Sequence, residues 1–140
     1  MISAQRENLR RYYLTCWQKH QAGQLLEGLE KQVAAVILEH PEYHSILSNT
    51  EQALQKDYVA EEGKTNPFLH MGLHLGLREQ VATDRPVGIR DIYENLAERY
   101  GQHDSEHMMM ECLVANLWQA QQQHQPPDEN AYLDCLIKLG

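Results

Sequence analysis

The chain has 140 residues, 42% of them hydrophobic, which is enough for one domain with a sizeable core. Its formal net charge is -8, from 20 acidic and 12 basic residues, and this argues against a general nucleic-acid binder. Mean hydropathy is -0.60, and no apolar run reaches the ~20 residues of a membrane span.

The dominant periodicity is helical, and no stretch alternates polar and apolar residues as a strand does. A first helix is predicted from Ser3 to His20, with Leu9, Tyr12, Tyr13, Cys16 and Trp17 as one apolar stripe. It is basic: Arg6, Arg10, Arg11 and Lys19 against Glu7 give +3 over residues 1–22. Residues 23–62 carry eight acids against two lysines, or -6, so the first helix is expected to complement the second. The sharper reading is a basic docking strip. The opening residues MISAQRENLRRYYL lack the apolar run of a secretory signal.

Gly23 closes this first helix, and a second is predicted from Gln24 to Glu39, with Leu26, Leu29, Val33, Val36 and Ile37 on one face. Pro41 disfavours helical geometry at His40 and then starts a short helix, PEYHSIL, to Leu47. Asn49 to Tyr58 reads as another short helix and Val59 to Thr65 as a loop.

Asn66-Pro67 is a strong helix start, cap then first-turn proline, for a helix running to Ala82. The TDRP turn leads to a fourth main helix from Val87 to Tyr100, stopped by Gly101. A fifth runs from Ser105 to Gln122. Asp128 caps a last one through Tyr132, Leu133, Leu136 and Ile137. The expected fold is all-α, a single-domain antiparallel helical bundle over residues 1–140 with short flanking helices and no sheet. Cys16, Cys112 and Cys135 form no CxxC and read as reduced thiols in a cytoplasmic core.

One constellation carries chemistry. His70 and His74 lie one turn apart in NPFLHMGLHLGL, and His107 and Glu111 one turn apart in EHMMMECLVANLW. Side chains four apart share a helix face, so each pair can converge on one ion. Short turns between the last three main helices make the third and fifth parallel and set both pairs at one height. The end of the second helix brings His40 and His44, in HPEYH, as additional ligands. Such a donor set suits Zn, Fe, Ni or Mn rather than Ca or Mg. Glu111 is either a ligand or a general base for a metal-bound water. A di-iron centre is disfavoured, since the Glu-x-x-His pairs it needs are absent.

The competing reading is a metal-free scaffold or interaction protein. Its His/Glu cluster is then a hydrogen-bond network, and Tyr12, Tyr13 and Trp17 anchor a partner or a second copy. His20 and His124, at helix ends, are read as solvated, and His103, one turn before His107, as a marginal further candidate. Met108, Met109 and Met110 read as core filling. Gly72 and Gly76 form a smooth strip that either packs closely or leaves room for a small ligand. No phosphate loop, Rossmann fingerprint or nucleophile elbow is present, so no nucleotide or organic cofactor and no reaction are indicated.

HPEYH at 40–44, TNPFLHMGLHLGLREQ at 65–80, HMMMECL at 107–113 and W-x-AQ at 118–121, followed by PPDE and AYL, resemble the bacterial family called domain of unknown function 1841. The resemblance covers nearly the whole chain. It implies a small, mainly proteobacterial, cytoplasmic protein, and it supplies no activity.

Overall fold

The structure, a computed structural model, describes residues 4–55 and 66–140. The described residues form helices and no strand. The helices are α1 (Ala4–Gln21), α2 (Leu29–Leu38), α3 (His44–Leu47), α4 (Thr50–Gln55), α5 (Pro67–Thr83), α6 (Ile89–Tyr100), α7 (Gln102–Gln123) and α8 (Glu129–Ile137). A single 3₁₀ turn, Pro41–Tyr43, joins α2 to α3. The all-α expectation holds. The loop expected at 59–65, and the end of the short helix expected to reach Tyr58, lie outside the described residues. Among the described residues no helix is long and apolar enough to cross a membrane.

The chain divides into two compact units, Met1–Leu75 and Gly76–Gly140. In the first, α1 packs on α2 and α4. Its core holds Tyr13, Leu14, Cys16 and Trp17 of α1, Val33, Val36 and Ile37 of α2, and Phe68 and Met71 of α5. Tyr13 and Trp17 are therefore core residues. The expected stripe on α1 is turned slightly: Leu9 is exposed, and Arg10 is buried in its place. Lys19 meets Glu30 at 2.6 Å, so the basic first helix does complement the acidic second. Cys16 is a free thiol with no exposure, and burial pushes its pKa up, as suits an inert packing residue.

Helix α2 starts at Leu29, five residues later than its periodicity suggested. Gly28 adopts φ 52°, a conformation that ends a right-handed helix and costs glycine little. Asn66 caps α5 as expected, its Oδ1 accepting from the amides of Phe68 and Leu69 at 3.0 and 3.3 Å.

In the second unit α6, α7 and α8 pack on one another. Leu77, Ile89, Leu96, Met109, Tyr132 and Leu136 are buried there. Met109 and Met110 do fill the core, whereas Val114 and Trp118 of α7 are exposed. The buried face instead presents Glu106, Met109, Cys112, Leu113 and Asn116. Glu106 accepts from Arg78 Nε at 3.1 and 3.3 Å and from Gln102 Nε2 at 3.0 Å, which makes burial of its carboxylate tolerable.

Two of the three cysteines are paired, contrary to the reduced-thiol expectation. Cys112 and Cys135 form a disulfide, with Cα atoms 5.8 Å apart, because α8 folds back along α7. Asp128 caps α8 as expected, its Oδ1 accepting from the amides of Asn130 and Ala131. The backbone oxygen of Asp128 in turn accepts from Asn116 Nδ2 at 2.9 Å.

Two outcomes follow from this unit. Asp128→Ala leaves two helix-start amides without a partner and should lower stability by about 1 kcal/mol in urea unfolding. Reduction opens a loop of 23 residues in sequence separation. The loop-entropy relation then gives a stability loss of up to about 3 kcal/mol, read as a lower melting temperature in dithiothreitol.

Candidate metal centre

Within the first unit, His40, His70 and His74 come together. Their ring centroids are 5.1 Å (His40–His70), 4.8 Å (His40–His74) and 4.9 Å (His70–His74) apart, close to an equilateral triangle. Each ring turns an edge to the others, at interplanar angles of 78°, 61° and 76°. One ring nitrogen from each lies within 4.8 Å of the other two. His40 and His74 are buried, and His70 is half-buried.

The local sequence explains the arrangement. His70 and His74 stand one turn apart on α5, and their Nε2 atoms are 3.3 Å apart. Two nitrogens bound about 2.0–2.1 Å from one tetrahedral zinc stand about 3.3–3.4 Å apart, so this spacing fits shared ligation. An N–H···N hydrogen bond fits it as well.

His40 comes from the end of α2. The last four carbonyls of a helix have no partner within it. At this end the HPEYH segment supplies partners. His40 Nδ1 lies 2.8 Å from the Val36 carbonyl and His44 Nε2 lies 2.9 Å from the Ile37 carbonyl. A carbonyl only accepts, so each of these nitrogens carries the proton. For His40 that fixes the tautomer and leaves Nε2 with its lone pair. His40 Nε2 is buried and has no hydrogen-bond partner among the described residues. Metal-binding histidines characteristically show this state: one ring N–H held by a backbone carbonyl or carboxylate, the other nitrogen presented bare.

The other predicted residues are placed as follows. His44 is turned away from the triad, its ring 4.4 Å from that of Trp17. It serves as a helix-end partner. His107 lies on α7 in the second unit and repeats the His40 device, with Nδ1 2.8 Å from the carbonyl of His103 one turn back. Glu111, one turn further on α7, is exposed. Tyr43 lies against the triad, its ring stacked 5.4 Å from His40 and 6.2 Å from His70. Sequence reasoning gave Tyr43 no role, although its place in HPEYH, three residues after His40, was a usable signal.

The sequence matches the family described as Domain of unknown function (DUF1841) over residues 5–138. The chain belongs to that family. No curated protein and no solved structure matches it. Membership of the DUF1841 family carries no activity with it, so function has to be argued from the histidines.

His44→Phe keeps a ring against Trp17 and removes the donor to the Ile37 carbonyl. It should lower stability by about 1 kcal/mol in denaturant unfolding.

Proposed function

We propose that the protein binds one transition-metal ion through His40, His70 and His74. His107 is the proposed fourth donor, and Glu111 is a further ligand or a general base. The reading is supported above all by His40 Nε2, a buried lone pair with no donor opposite it among the described residues. A complete hydrogen-bond network would leave no such atom, because a buried polar group without a partner costs about 1–3 kcal/mol. The tautomer of His107, set by the His103 carbonyl, supports its inclusion.

Neutral imidazoles suit Zn, Fe, Ni or Mn. Such an ion, when bound, acts as a Lewis acid and lowers the pKa of coordinated water. The chain's own contribution is to hold the imidazole tautomers and orient the rings. No nucleotide or organic cofactor belongs to this reading, and no reaction is assigned. A bacterial, cytoplasmic setting completes the proposal. The rival reading, a metal-free scaffold with a histidine hydrogen-bond network, draws on the same 3.3 Å separation of His70 and His74.

Titration of untagged, chelator-treated protein with Zn²⁺ or Co²⁺ tests the proposal. One equivalent should bind, and affinity should fall at least about tenfold in His40→Ala and in His74→Ala, while His44→Ala binds like wild type. His107→Ala should weaken binding by about 10–100-fold if it is the fourth donor. Trace metal alike in wild type and His74→Ala would establish the metal-free network instead.

A further inference from the structure

The side of α7 that points away from the core of the second unit carries an apolar stripe. Val114, Leu117 and Trp118 stand there at i, i+3 and i+4, and they are 45%, 44% and 62% exposed. Singly exposed apolar residues are ordinary on a protein surface, whereas a contiguous group that includes a tryptophan marks an interaction site.

The stripe lies in a stretch without charge. From Cys112 to Pro127 there is no Asp, Glu, Lys or Arg, sixteen residues in a chain that is 23% charged. Its polar members are mostly amides, with five glutamines between Gln119 and Gln125. The exposed side of α6 in the same unit differs, with Arg90, Asp91, Glu94, Glu98 and Arg99.

Charge decides among the occupants of this face. Nucleic acid and anionic membrane are held by cations, and the stretch supplies no Lys or Arg. A partner recognised by its charge would need the opposite charge here. A second copy of the chain brings -8 against -8, so two copies approach closely only where neither carries charge. The uncharged stretch of α7 meets that condition in any register. An amide both donates and accepts, so glutamines pair with their own kind, as carboxylates and ammonium groups do not.

We propose that two copies of the chain pair through α7 about a two-fold axis. Such an interface is isologous, so every contact in it occurs twice. With the two helices antiparallel and the axis at the level of Asn116, Trp118 of each copy lies against Val114 of the other, a large side chain against a small one. One helix face offers fewer than the roughly 20–30 residues a side of a standard interface, so the dimer is weak and reversible, in the micromolar range. The pairing makes no use of His40, His70 or His74 and stands independently of the metal proposal.

Sedimentation equilibrium of the untagged full chain in EDTA, at about 5 to about 500 µM, tests it. The average mass should climb from 16.2 kDa towards twice that value as concentration rises. Val114→Glu and Trp118→Lys change exposed positions, where folding is spared, and each should weaken association at least about tenfold. Mixed in equal amounts, the two variants should associate at least about tenfold more tightly than either alone, because a carboxylate on one copy then meets an ammonium on the other. Leu9→Glu, at a 56% exposed position on α1, should associate like wild type. A mass of 16.2 kDa throughout, wild-type association of Trp118→Lys, a mixture no tighter than its components, or loss of the dimer in Leu9→Glu overturns the proposal.

Discussion

The hydrogen bond from His40 Nδ1 to the Val36 carbonyl is the contact on which the candidate centre rests. It exists because α2 ends there, and a helix that ends leaves carbonyls in need of donors. Satisfying one of them fixes the proton on Nδ1 and the direction in which the ring points. The bare nitrogen then faces two rings that α5 already holds one turn apart. Three imidazoles thus come together, the first of them steered by a backbone carbonyl.

The elements were largely legible, because caps and stops are chemical statements that need no tertiary context. Asn66-Pro67, Gly101 and Asp128 mark helix ends in the sequence and in the structure. The pair His70 and His74 was legible for the same reason, since four-residue spacing is a local property of a helix. What escaped was set by packing between elements. His40 read as an additional ligand, yet it is the residue whose buried nitrogen most needs an ion or a donor. His44, equal to it on paper, is committed to Trp17 and the Ile37 carbonyl. The face of α7 that packs on α6 and α8 was set in the same way: it bears Cys112 and Leu113 and leaves Val114 and Trp118 exposed.

The Cys112–Cys135 pair was invisible to spacing, because a separation of 23 residues carries no signal until α8 folds back along α7. It bears on the cellular setting as well. Disulfides persist in oxidising compartments and are rare where glutathione and thioredoxin keep thiols reduced. In a reducing compartment this pair would stand as two thiols.

The double duty of His40 also separates two kinds of sequence change. Substitutions on the exposed face of α2 can be absorbed one side chain at a time. An insertion or deletion between Val36 and His40 cannot. One extra residue turns His40 by about 100° and carries it about 1.5 Å along the axis. The ring would leave the Val36 carbonyl and the two rings of α5 in a single step. In this segment the count of residues is held more tightly than most of their identities.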